Sequence, residues 1–153
     1  MDQCLKLVRD FIQYQQEWLE RQYADARKRE PDIDIHGEII SDLANYGWCN
    51  SQVLWQLALW RCQGIFEAMM KNTFLKEPKK FYSGLVAKLD AMRAAGFQYS
   101  NEEYVELRNW GDLHNAISHA PPEQYRSVEI RESDLIEYVT LLKRLCARWR
   151  EGL

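Results

Sequence analysis

A chain of 153 residues that is 46% hydrophobic, with six Trp, eight Tyr and five Phe, carries enough material to bury one good core, so a single domain over 1–153 is expected. Its formal net charge is only -3, which excludes a broad cationic coat for nucleic acid; any RNA contact has to be local. Seven Gly and four Pro are too few for the frequent turns of an all-β fold.

Taken in chain order, residues 2–29 predict one long amphipathic helix. Leu5, Val8, Ile12, Trp18, Leu19 and Tyr23 form its apolar stripe, Asp2 its N-cap, and Arg27-Lys28-Arg29 a cationic C-terminus. Pro31 interrupts, and Asp32 to Gly37 reads as a short acidic connector holding the lone His36. Glu38 to Tyr46 predicts a second, shorter helix, with Gly47 as a break. Ser51 to Thr73 is apolar nearly all round, from Val53, Leu54, Trp55 and Leu57 to Phe66, Met69 and Met70. It is expected to be a central helix covered on several sides. Pro78 can open the next helix, which runs to about Ala95 with Phe81, Leu85, Val86, Leu89 and Met92 inward and Gly96 as C-cap.

Ser100-Asn101-Glu102-Glu103 is a capping box, in which hydroxyl and carboxylate satisfy free amides reciprocally. It opens a helix that Pro121-Pro122 closes. A possible short extended piece, Ser127 to Ile130, follows. Ser133 then caps a last helix with Leu135, Val139, Leu142, Leu145 and Trp149 inward. The sum is an all-α chain of five to six helices with short connections, most economically an antiparallel helical bundle.

The four cysteines, Cys4, Cys49, Cys62 and Cys146, are scattered without a Cys-x-x-Cys pair and read as reduced, packed thiols rather than zinc ligands. The N-terminus has no apolar signal core and no apolar run is long enough for a bilayer span, so a cytoplasmic protein without a membrane partner is expected. Trp55, Trp60 and Trp110 read as core rather than as the lining of a small-molecule pocket.

The chemistry is concentrated between Leu107 and Pro122. Arg108, Asp112, Asn115 and His119 fall at offsets of 4, 7 and 11 and share one helix face, whereas Leu107, Trp110, Leu113 and Ile117 lie mainly on the other, with His114 near the boundary. Spacing alone favours a solvated stripe with an Arg108–Asp112 pair. The sharper reading is a catalytic face: arginine supplies paired donors to a phosphate, and histidine exchanges protons near neutral pH. His114 and His119 are five apart, which does not suit a helical metal pair, and no cofactor is implied.

This segment resembles the signature of HEPN domains, small helical bundles whose motif is an Arg, usually followed by a polar residue, then a His after four to six positions. The helical layout fits loosely and 108–119 closely. One register runs from Arg108-Asn109 to His114. The preferred one is His114-Asn115-Ala116-Ile117-Ser118-His119, in which His114 stands where the family has arginine. That departure marks a natural variant, an inactivated form, or a site in which Arg108 supplies the charge from one face over. The resemblance implies a metal-independent endoribonuclease, a toxin or antiphage defence effector, attacking RNA through a ribose 2′-hydroxyl. His119 would be general acid/base, Asn115 its polar partner, His114 the altered arginine position and Arg108 an electrostatic substitute. It further implies a homodimer with two motifs lining one cleft, and a possible antitoxin or defence-system partner. Some relatives pair with a nucleotidyltransferase antitoxin that modifies a tyrosine just after the motif histidine. Here that position is Pro121, with Tyr125 the nearest tyrosine, so that partner does not follow. The alternative is a non-catalytic HEPN-like interaction module binding a partner protein or nucleotide.

Overall fold

The computed structural model describes residues 1–30, 32–119 and 129–152, and among these all regular secondary structure is helical. There are five α-helices: α1 (Asp2–Arg29), α2 (Ile33–Met69), α3 (Leu85–Ala94), α4 (Asn101–His119) and α5 (Glu132–Glu151). A π-helical turn, Met70–Phe74, extends α2, closed by the Leu75 amide donating to the Met70 carbonyl at 2.9 Å. None of these helices is long and apolar enough to cross a membrane. The expected closure at Pro121-Pro122 lies outside the described residues, as do Ser127 and Val128 of the expected extended piece; its other two residues, Glu129 and Ile130, are in no regular secondary structure.

The chain divides into two compact units, residues 2–58 and residues 59–153 with Met1. In the first, α1 spans the predicted residues, with Leu5, Val8 and Leu19 of its stripe buried and Ile12, Trp18 and Tyr23 half-buried, while Asp2 lies inside the first turn instead of capping it. The connector and the break expected after it are absent. Asp32 caps a helix instead, its carboxylate accepting from the Asp34 amide at 2.9 Å and the Ile35 amide at 3.4 Å. α2 therefore starts at Ile33, takes up His36, and runs through Gly47 without interruption. Gly47 serves packing rather than termination. A Cβ there would stand 2.5 Å from Leu19 Cδ1, and the Gln15 side chain reaches the Gly47 carbonyl at 3.3 Å. Glycine lets α1 and α2 approach, and the helix pays only the modest propensity cost of one Gly.

In the second unit, Leu59, Cys62, Phe66, Met70 and Phe74 continue one stripe of α2 and its π-turn into the core. α5 contributes Leu135, Tyr138, Val139, Leu142, Leu145 and Trp149, all buried. Trp149 is the hub: its ring lies 5.8 Å from Phe66, 5.4 Å from Phe74, 6.2 Å from Phe97 and 6.4 Å from Tyr99, and its Nε1–H donates to the Gln98 carbonyl at 2.9 Å. Burial pushes the neighbouring Cys146 thiol up to about 11, which keeps it protonated and unreactive.

Further expectations change here. α2 is not covered all round, because Val53, Leu57 and Trp60 form an exposed stripe, so Trp60 is not core. Pro78 does not open α3. The helix begins at Leu85 after Gly84 at φ 93°, which leaves Pro78 and Phe81 in a loop, with Phe81 and Val86 exposed rather than inward. Ser133 does not cap α5. Arg131 is the N-cap, and its amide donates to the Asp134 carboxylate at 2.8 Å. Gly96, by contrast, ends α3 as expected: at φ 91° it closes a Schellman turn, Gly96 N–H to the Arg93 carbonyl and Phe97 N–H to the Met92 carbonyl, both 3.0 Å.

Candidate functional site on helix α4

α4 is anchored at its start and on its inner face. The capping box forms in full, with the Ser100 amide donating to the Glu103 carboxylate at 2.9 Å and the Glu103 amide to the Ser100 hydroxyl at 3.2 Å. The same carboxylate takes a bidentate pair from Arg148 of α5 at 2.8 and 3.0 Å and lies 3.4 Å from Arg144. Its side chain is only 10% exposed. The Arg148 hydrogen bonds hold the Glu103 carboxyl below the usual carboxylate range, against the opposing effect of burial.

One turn beyond Leu107, Trp110 stacks on Tyr138 at 4.7 Å between ring centres, and Gly111 seats against Leu85 of α3. Below them runs a polar chain that starts buried at Tyr138 and Gln63 and ends half-buried at Glu67 and Lys88. The Tyr138 hydroxyl donates to Gln63 Oε1, the Gln63 amide to Glu67 at 2.8 Å, and Lys88 of α3 pairs with Glu67 at 2.7 Å. Desolvation drives the Tyr138 hydroxyl far above its ordinary value, so it stays a neutral donor. Gln63 and Glu67, which stand out as polar exceptions in an apolar helix, are thus satisfied internally rather than offered to a ligand.

The outer face carries the residues singled out from the sequence. Arg108, Asp112, Asn115 and His119 are exposed and His114 is half-buried. Arg108 and Asp112 are paired at 3.8 Å with side chains 61% and 68% exposed. Helix geometry separates the rest. Arg108 and His119 share a face but stand eleven residues apart, about 16 Å along the axis. His114 is about 140° around the helix from His119, and Asn115 is one turn from it. One chain therefore brings Arg108 to Asp112 and Asn115 toward His119. It does not bring Arg108 to His119.

A cleft among the described residues lies elsewhere. Of about 460 Å³ and lined by Gly96, Phe97, Gln98, Arg148 and Trp149, it opens at the Glu103 end of α4, some 24 Å along the axis from His119. Nothing local in the sequence marks it, because Arg148 and Gln98 meet only through tertiary packing. Among the described residues no group of three His, Cys, Asp or Glu side chains could hold a metal ion. No protein-family model, curated protein or solved structure matches this chain.

Proposed function

We propose that this chain is an RNA-directed helical-bundle domain of the HEPN kind, whose α4 becomes a cleaving site only when a second copy faces it. The carrying observation is the separation of Arg108 from His119 along one exposed helix face. A single phosphate cannot touch both side chains of one chain, whereas two α4 helices side by side can set Arg108 of one copy against His119 of the other. In that arrangement the ribose 2′-oxygen attacks phosphorus and the P–O5′ bond breaks, leaving a 2′,3′-cyclic phosphate and a free 5′-hydroxyl. His119 handles the proton, Asn115 orients it, and the guanidinium stabilises the phosphorane charge. The arginine charge missing at position 114, where histidine stands, is then supplied by Arg108 of the partner's α4.

The test is complementation. Arg108→Ala and His119→Ala chains should each be inactive on single-stranded RNA. Mixed, they should recover cleavage, because one of the two shared sites then keeps both groups. Mixing without recovery, while the unaltered chain cleaves, overturns the shared site.

The second reading is a non-catalytic module that uses the same face to hold a partner protein or nucleotide. It is favoured by the net charge of -3 and by histidine in place of arginine at position 114. Absence of cleavage by both the unaltered and the His114→Arg chain, at concentrations where two copies associate, selects it.

A further inference from the structure

The loop between the π-helical turn and α3 offers a feature that the α4 face does not use. Its sequence, Lys76-Glu77-Pro78-Lys79-Lys80-Phe81-Tyr82, holds three lysines against one glutamate. Phe81 is 87% exposed, more than any other large hydrophobic side chain among the described residues. The surrounding loop is pinned. The Tyr82 hydroxyl donates to Glu77 Oε2, Lys80 Nζ lies 3.1 Å from the same carboxylate oxygen, and the Lys80 ammonium sits 5.4 Å over the Tyr82 ring. The Tyr82 hydrogen bond and, after it, Lys80 hold the Glu77 carboxyl below its ordinary value, so the acid is spent inside the clasp. Lys76 and Lys79 enter no ion pair among the described residues and point their charge outward. Lys76 also adopts φ 58°, a left-handed conformation that non-glycine residues hold only where the surroundings impose it.

A lone exposed phenylalanine is ordinary on a protein surface. One carried on a pinned loop that also bears two uncommitted lysines, in a chain of net charge -3, is a local cationic and aromatic platform. We infer that residues 76–82 bind single-stranded RNA, the Phe81 ring stacking one base while Lys76 and Lys79 meet phosphates beside it. The choice of RNA as the polyanion rests on the reading of α4 given above. The position agrees with it: Leu85, four residues on, packs against Gly111 at the middle of α4, so Phe81 is at most about 14 Å of chain from that contact. A bilayer-inserting tip would present several apolar side chains together. Here Tyr82 is half-buried and tied to Glu77, and the other residues next to Phe81 in sequence, Lys79, Lys80 and Ser83, are polar, so one ring is offered, the match for one base.

The test is fluorescence anisotropy of a labelled oligouridine of about 16 nucleotides, the upper length one such groove takes. It is run on the full His119→Ala chain so that cleavage cannot consume the probe. Adding Phe81→Ala should weaken binding roughly fivefold to a hundredfold, and Phe81→Trp should retain it. Lys76→Gln with Lys79→Gln should flatten the salt dependence of log Kd by about 1.4. Thermal melting should be unchanged by Phe81→Ala because the ring is already in solvent. Equal affinity of the Phe81→Ala chain, no RNA binding by the parent, or Phe81-dependent binding confined to phosphatidylserine vesicles would each overturn the inference. RNA cleavage by the unaltered chain with Phe81→Ala binding unchanged would remove only this loop from the RNA path. Phe81-dependent RNA binding without cleavage would instead remove only the shared active site.

Discussion

α4 carries two ion pairs of opposite character. At its start, Glu103 is sunk to 10% exposure and held by two short hydrogen bonds from Arg148, with Arg144 in reserve. Two turns later Arg108 and Asp112 meet at 3.8 Å with both side chains mostly in water. The first pair fixes where α4 lies on α5. The second holds almost nothing in place, which leaves its guanidinium at small cost available to another anion. Burial, more than residue type, separates the structural end of this helix from its exposed end.

The largest effect belongs to the buried pair. Glu103→Ala removes a helix cap and leaves Arg148 without its carboxylate, and should cost about 3 kcal/mol in chemical denaturation. The effect has a pH signature. Because the folded-state carboxyl lies below the ordinary value of 4.5, its contribution is complete above that pH. It is lost as the pH falls from 4.5 through the lower folded value. A Glu103→Gln chain should therefore show a flatter acid limb than the unaltered chain, and identical acid limbs would mean that the pair contributes no stability.

The inner face of α4 comes next. A Cβ at Gly111 would stand 2.8 Å from Leu85 Cδ2, and Leu85 is itself buried. Gly111→Val should cost about 2 kcal/mol by overpacking, whereas Gly111→Ala should be milder because the gain in helix propensity offsets part of the clash. A Gly111→Val chain as stable as its parent would show that α3 yields freely, and that the middle of α4 is not fixed by this contact.

What could be read in the sequence was local. The capping box at Ser100 and Glu103, the C-cap at Gly96 and the stripe of α1 depend on residues within one turn or on helical period, and the structure has all three. Gly47 and Pro78 carry the same local marks of punctuation, yet one lies inside α2 and the other in a loop. Gly47 is small for the sake of Leu19, twenty-eight positions away, and α3 waits for Gly84. Arg148 and Arg144 as partners of Glu103 were equally invisible, since only packing of α5 on α4 brings them there. The same limit applies to the candidate site. The shared face of Arg108, Asp112, Asn115 and His119 follows from period, whereas the surroundings that would tell a wet stripe from an active surface depend on what meets it.

The smallest expected effect on stability is therefore the most informative about function. Arg108→Ala breaks a pair between two exposed side chains, and the melting transition should move by no more than about 0.5 kcal/mol equivalent, less at high salt. Any large loss of RNA cleavage or partner binding in that chain then cannot be assigned to unfolding. The converse also discriminates. If Arg108→Ala destabilised the protein as much as Glu103→Ala, the outer face of α4 would have to be buried in the working assembly. Its exposure would then be the mark of an obligate interface rather than of a surface waiting for RNA.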